Sequence, residues 1–293
     1  MKPMKPLNIA YTPDSDDAFY YDALETGKVS LPNYQPIFSR VPISTLNRAA
    51  RRCEYDISAI SSVAYPQIAR SYAILSVGTS VGRGYGPVLV SKFKQRIEDL
   101  RGKLVGVPGI PTTGWFLLRH LCPEAVPVEM DYDQIAGAVA AGQLEAGVMI
   151  HEELLFYPRM NLHRVADLGA EWCHRHGLPL PVGLNVIRRD LGRENMQRIC
   201  TAIRQSLEYA MEHSEEALAR VCRFGRGTEG QCTEQFVSMF ANADSVQMPA
   251  DVRTALGILF SQVSDLGLCP EVPPLDIIDG IPFASPIRLL KAS

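Results

Sequence analysis

The chain changes hydrophobic period again and again, and that alternation narrows its fold more than any other feature. The run LNIAY (7–11) is short and strand-like, and DDAFYYDALETG carries acids in its first turn and Gly27 past its end, the marks of a helix. YQPIFSRV alternates like a strand. STLNRAARR follows as a helix with Ser44 as its N-cap, then YDISAIS as a strand and AYPQIARS as a short helix. Strand and helix in turn predict a mainly parallel sheet with covering helices.

A second start follows GYGPVLVSK. KLVGVPG is a strand ending in a glycine turn, and TTGWFLLRHL is the helix it feeds. DYDQIAGAVAAG reads as another helix and AGVMIH as the next strand. PVGLNVIRRD is a strand leading into a helix from about Arg193, where Met196, Ile199, Ile203 and Leu207 keep the spacing of one buried face. Helices are expected around 214–224, 231–240 and 250–266, before a proline-rich tail. The simplest arrangement is two α/β lobes. Residues 1–89 with 187–293 form the larger, discontinuous one, and 90–186 form a smaller one inserted between the crossover strands GPVLVSK and GLNVIRRD. Two such lobes enclose a hinged cleft. Open α/β sheets bind ligands beyond the carboxyl ends of their strands. That rule selects the turn after LNIAY, the end of YDISAIS, the VPGIPTT turn and His151 at the end of AGVMI.

Composition removes several partners. With 293 residues, two cored lobes are within reach. The 29 Lys and Arg against 32 Asp and Glu leave a net charge of −3, so no basic excess serves a nucleic acid. Seven scattered cysteines, none spaced Cys-x-x-Cys, fit neither a disulfide framework nor a zinc cage but do fit a reducing compartment. The opening MKPMKPLNIAYTPDSDD lacks the apolar length of an export signal, and no apolar run of about twenty residues would span a membrane. A cytoplasmic protein is expected.

Each candidate motif carries a functional reading and a structural one. In AGVMIHEELL, a zinc-protease reading needs a second His four residues after His151, where Leu155 stands. His151 is therefore either a core histidine or an imidazole facing the cleft. Glu152 either orients that ring or opens the next helix, and Glu153 reads as a first-turn acid. VPGIPTTGWFLL offers Thr112 and Thr113 at a helix start, either as caps or as donors to a carboxylate. Asp14, Asp16 and Asp17 either favour the first helix's dipole or place an acceptor, such as Asp16, on the cleft wall. GRGYGP reads as a tight turn with a solvated Arg83. WCHRHG reads as a helix end stopped by Gly177 rather than as a metal site.

Together, TPDSDDAF, AISSVAYP, GRGYGP, VPGIPTTGWFLL, GQLEAGVMIHE and GLPLPVGLNVIRRDLG resemble the 1,4-dihydroxy-6-naphthoate synthases of the futalosine route to menaquinone. The resemblance runs from about Leu7 to Glu194. That family opens on Ser-Pro-Cys-Pro-Asn-Asp-Thr-Phe, whereas this chain has Thr12, Asp14, Ser15, Asp16 and Ala18, which marks a divergent branch. The resemblance implies a two-lobe, type II periplasmic-binding-protein-like fold. It implies His151 as catalytic base, Thr112 and Thr113 as holders of a ligand carboxylate, and Ala59, Ile60 and Ser61 as a substrate-contacting strand end. The implied reaction is a carbon–carbon lyase step on cyclic dehypoxanthinyl futalosine, a small aromatic carboxylate, with no cofactor and no metal. Two rivals remain: a chorismate dehydratase on the same fold, and a non-catalytic solute-binding protein. The His-Glu element after AGVMI favours the naphthoate synthases. Oligomeric state stays open.

Overall fold

The structure is a computed structural model that describes residues 4–94, 96–223 and 230–281. The end of the proline-rich tail lies outside the described residues. The first elements are β1 (Lys5–Tyr11), α1 (Ser15–Glu25), β2 (Tyr34–Arg40), α2 (Ile43–Arg51), β3 (Ile57–Ser61), β4 (Tyr72–Leu75) and β5 (Ser80–Gly82). The middle of the chain holds β6 (Val88–Ser91), β7 (Leu104–Val107), α3 (Thr113–Leu121), β8 (Val126–Glu129), α4 (Tyr132–Ala140), β9 (Ala146–Met149), α5 (Glu153–Phe156), β10 (His163–Asp167) and α6 (Leu168–His176). Then come β11 (Leu180–Arg188), α7 (Arg193–Glu212), α8 (Ser214–Val221), α9 (Gly230–Phe240), α10 (Ala243–Val246), α11 (Ala250–Asp265) and β12 (Ile277–Ile278).

The strands form two sheets. One runs β12-β4-β11-β3-β1-β2 with β5 on β11, and the other runs β10-β6-β9-β7-β8. Neither is mainly parallel, which corrects the expectation from the sequence. β1 pairs parallel with β2 and β3, and β7 with β8 and β9. β11 runs antiparallel to β3, β4 and β5, and β6 antiparallel to β9 and β10. These two reversed strands are the first that the chain lays down after passing from one sheet to the other. A strand that arrives this way needs no helical crossover and is free to run either way. Strand pairing puts the passages at 83–87 and 177–179, so the expected boundaries 89/90 and 186/187 fall inside β6 and β11.

Backbones meet tightly at the first passage. A Cβ on Gly169 would lie 2.1 Å from the Tyr85 carbonyl oxygen, so the start of α6 packs here only as glycine. Arg83 is not merely solvated: it pairs with Asp244 at 2.6 Å and Asp251 at 2.8 Å. Strands β3, β4, β6 and β9 are buried along their whole length, which is why they read as apolar runs rather than alternations. α7 buries Met196, Ile199, Ile203 and Leu207, the stripe expected for it, and packs on α1. Ser44 lies inside α2, and Pro42 takes the cap position instead. Gly177 ends α6 in the left-handed conformation, with Cys173 turned to the Gly84 N–H. Among the described residues no helix is long and apolar enough to cross a membrane.

Candidate active site

The carboxyl ends of β1, β3, β7 and β9 converge on one cleft of about 700 Å³, open mouth included. Its walls include His151, Ala59, Ile60, Ser61, Thr112, Thr113, Asp16 and Asp17, but not Asp14, Glu152, Glu153 or Arg83. The two sheets contribute opposite sides. Thr12, Asp16, Asp17 and Ala59–Ser61 come from the first, and Thr112–Gly114, Ile150 and His151 from the second.

His151 ends β9's run at φ +55°, a left-handed backbone that costs a branched or ring-bearing residue on the order of 1 kcal/mol. Its Nδ1 lies 2.7 Å from Asp14 Oδ2, and the Tyr132 ring stands edge-on at 4.7 Å. Nε2 is buried with no hydrogen-bond partner among the described residues. Burial alone would lower the imidazole's pKa. The charge of Asp14 and its contact with Nδ1, then the charge of Glu153, outweigh it and push the pKa up to about 9. Asp14 thus favours the protonated ring, where sequence reasoning expects a neutral imidazole of ordinary pKa.

The acids around it resist ionising together, because buried like charges raise one another's pKa. Asp16 is pushed well above the carboxylate range by burial and by Asp17, Asp14 and Glu152, which favours its protonated, donating form over the acceptor expected of it. Burial brings Glu153 to about 7. Burial also raises Asp17 to about 6, tempered by the Thr12 hydroxyl and N–H that donate to it at 2.6 and 2.9 Å. Glu152 does not orient the ring. It accepts from Ser15 N at 3.1 Å and from Ser15 Oγ at 2.5 Å. Among the described residues no three of His, Cys, Asp and Glu are arranged to hold a metal ion.

At the other wall, α3 starts on its own cap: Trp115 N donates to Thr112 Oγ1 at 3.3 Å. The Thr112 hydroxyl donates to Gly109 O at 2.9 Å, and that of Thr113 to Val182 O at 2.7 Å. A hydroxyl has one hydrogen, so neither side chain has a donor to spare for a ligand. The N–H groups of Thr113 and Gly114 precede the first helical bond, Phe116 N to Thr112 O, and supply the anion-binding capacity of this helix start.

Other residues at the cleft escaped sequence reasoning: Asn47, which backs the wall at Ser61, and Asn185, Phe236 and Phe240 in the wall itself. Asn47 is buried and ties the lobes together, accepting from Ser61 N at 2.9 Å and donating to Ser61 Oγ at 3.0 Å and Pro111 O at 2.9 Å. Asn185 accepts from Tyr21 Oη at 2.8 Å and donates to Gly78 O at 2.7 Å. An amide inside the apolar strand GLNVI was a readable signal for it. Phe236 and Phe240 form an aromatic wall one helical turn apart on α9, with centroids separated by 5.1 Å.

A family described as menaquinone biosynthesis matches residues 7–265. The chain is 36% identical over 271 residues to a protein named 1,4-dihydroxy-6-naphtoate synthase from Thermus thermophilus, covering 92% of this chain and 98% of that one. It is 31% identical over 275 residues to a protein of the same name from Streptomyces coelicolor, covering 92% and 96%. Among solved structures it resembles a protein from Archaeoglobus fulgidus, with TM-score 0.85, 38% identity and coverage of 90% and 98%. A Candida albicans protein described as exhibiting the generic periplasmic binding protein fold matches with TM-score 0.68 at 15% identity, over 96% of this chain and 99% of that one. That last likeness concerns fold alone, and the fold is the two-lobe α/β architecture of those binding proteins.

Proposed function

The chain belongs to the menaquinone-biosynthesis family, and on that premise we propose that it is a carbon–carbon lyase converting cyclic dehypoxanthinyl futalosine to 1,4-dihydroxy-6-naphthoate. One observation carries the reading. His151 is held by Asp14 through Nδ1, while its other nitrogen is buried, unpartnered and in the wall of a cleft that also holds the start of α3. Buried polar atoms in folded proteins have partners, and a substrate atom would be the one that Nε2 lacks.

The aromatic carboxylate sits at the Thr113 and Gly114 N–H groups, where the helix dipole favours negative charge. Phe236, Phe240 and Ile43 give its rings an apolar wall. Nε2 of the neutral ring takes a substrate proton. The electrons released form a carbonyl on the departing sugar-derived part as the carbon–carbon bond breaks. The bonding pair is taken up by the ring that remains, which regains a proton from the imidazolium and becomes aromatic. Asp14 stabilises the imidazolium while it holds the proton. With a pKa near 9, about one ring in a hundred is neutral at pH 7, so turnover is expected to rise with pH well beyond 6.5. The cytoplasmic setting belongs to this proposal and is supported by the free state of the described cysteines.

Incubating the purified protein with cyclic dehypoxanthinyl futalosine and following the naphthoate chromophore tests the reading. Absence of product from folded protein, or dehydration of chorismate in its place, rejects it.

A further inference from the structure

Asp14 occupies the cap position of α1, yet its side chain makes no cap bond, because the carboxylate lies against His151. Aspartate is among the residues that cap a helix best, and the N–H groups of its own first turn compete for it. Those donors are the Asp16 and Asp17 N–H groups; the residue between them and Asp14, Ser15, is instead fixed from the other lobe. Glu152, beyond β9, accepts from both the N–H and the hydroxyl of Ser15. Neighbouring residues on one side thus meet neighbouring residues on the other, Asp14 with His151 and Ser15 with Glu152. Glu152 is 4% exposed and is not part of the cleft wall, so its reach to the chemistry runs through α1.

We propose that Glu152 is a positioning residue: its two bonds to Ser15 fix the start of α1 from the opposite lobe and so hold Asp14, the adjacent residue, on the His151 ring. A carboxylate buried only to cap a helix is an expensive choice where a neutral side chain would serve. Here the carboxylate anchors the residue beside Asp14, and that fixed backbone aims Asp14 at the imidazole. Without Glu152, Asp14 turns back to the first turn of α1 and His151 loses its partner.

The role in turnover rests on the function assigned to His151 above, but the placement is testable without substrate. Histidine labelled in the ring reports the His151 titration by NMR in wild type, Glu152→Ala and Glu152→Gln. The titratable groups around that ring are Asp14, Asp16 and Asp17 at the start of α1, Glu152 itself, Glu153 from α5 and Tyr132 from α4, and both variants leave all but Glu152 in place. The alanine variant is expected to lower the midpoint by about one unit or more. Glutamine, whose amide oxygen still accepts from Ser15, is expected to restore most of it. In turnover, alanine is expected to lower kcat about tenfold with KM within about threefold, and glutamine to recover it. An unmoved titration in Glu152→Ala overturns the proposal, and so do equal shifts in the two variants, because the carboxylate then acts through charge alone. If alanine prevents folding, Glu152→Asp, one methylene too short to reach Ser15, is expected to give alanine's shift, and a wild-type titration there overturns the proposal. Since the titration needs no substrate, a protein that fails to make naphthoate still answers this question.

Discussion

Two helix starts face one cleft, and they are built in opposite ways. The start of α1 is crowded with acids: Asp14 at the cap position, Asp16 and Asp17 in the first turn, and Glu152 bonded to Ser15 from the other lobe. The start of α3 has no acid, caps itself with Thr112, and leaves two backbone donors ahead of its first helical bond. Both ends carry the same partial positive charge. In α1 that charge is already offset by carboxylates, and in α3 it is available. On the function proposed above, an anionic substrate would be oriented before any specific contact is made, with its carboxylate toward α3 and its reacting part toward the acids and His151. α3 is also packed rigidly on the strand that delivers His151, since a Cβ on Gly114 would come within 2.8 Å of Val148.

The sharpest way to break this division of labour is His151→Asn. Asparagine accepts the left-handed backbone at this position and keeps some hydrogen bonding, but it takes no proton. Turnover is expected to fall by roughly a hundredfold or more, with binding of an aromatic carboxylate analogue retained because α3 is untouched. Steady-state rates alongside calorimetric titration check both halves. Normal turnover in the folded variant would falsify the assignment of His151 as the proton-transfer group.

The second test separates Asp14 from the other acids. If the base form of His151 does the work, the acid limb of kcat/KM in the wild type has its midpoint near pH 9, the pKa to which Asp14 and its neighbours raise the ring. Asp14→Asn removes the main charge holding that proton. The limb is expected to move down toward the ordinary histidine value, about 6.5, with the plateau rate falling about tenfold as the ring loses its support. A wild-type limb already centred near 6.5 would mean that the imidazolium–carboxylate pair does not control the reaction.

The same cluster predicts an unusual stability profile. Folding raises the pKa of Asp17 to about 6, of Glu153 to about 7 and of His151 to about 9. A raised pKa stabilises the fold below the unfolded value, and that stability is lost as pH rises through the folded value. All three therefore act in one direction. Unfolding free energy is expected to decline by a few kcal/mol between about pH 4 and pH 9, the groups being coupled and not additive. Denaturant unfolding across that range reads it. In Asp14→Asn the portion between about 6.5 and 9 flattens, and a profile that instead climbs with pH contradicts the placement of these acids.

The α3 wall was more legible in the sequence than the α1 wall, and the reason is physical. A strand, a glycine turn and a pair of threonines ahead of an apolar helix are local features, so VPGIPTTGWFLL locates its own helix start. The strand ends at Ala59–Ser61 and His151 were equally local. Which acid meets His151 depends on a contact between residues 14 and 151, and no spacing records it; Glu152 was the nearer candidate in sequence and the wrong one. Antiparallel β6 and β11 were missed for the same reason, since strand direction in a sheet is a long-range fact. Short strands such as β8 and β10, four and five residues long, carry too little period to be read.

The smallest effect is expected at Thr113, where sequence and structure differ most instructively. As a carboxylate donor, its hydroxyl would leave an anion underbonded by about 1–3 kcal/mol on replacement by valine. In the structure the single hydroxyl hydrogen goes to Val182 O at 2.7 Å, joining α3 to β11 across the two sheets. Valine keeps the shape and loses that bond, which lowers stability by about 0.5–1.5 kcal/mol. The backbone N–H groups of Thr113 and Gly114 remain, so calorimetric affinity for an aromatic carboxylate is expected to change by less than about 1 kcal/mol, under tenfold in Kd. A larger loss, in a variant that unfolds no more easily than the wild type, would mean that the hydroxyl leaves Val182 for the ligand. The α3 wall would then bind through side chains, and the contrast between the two helix starts would fail.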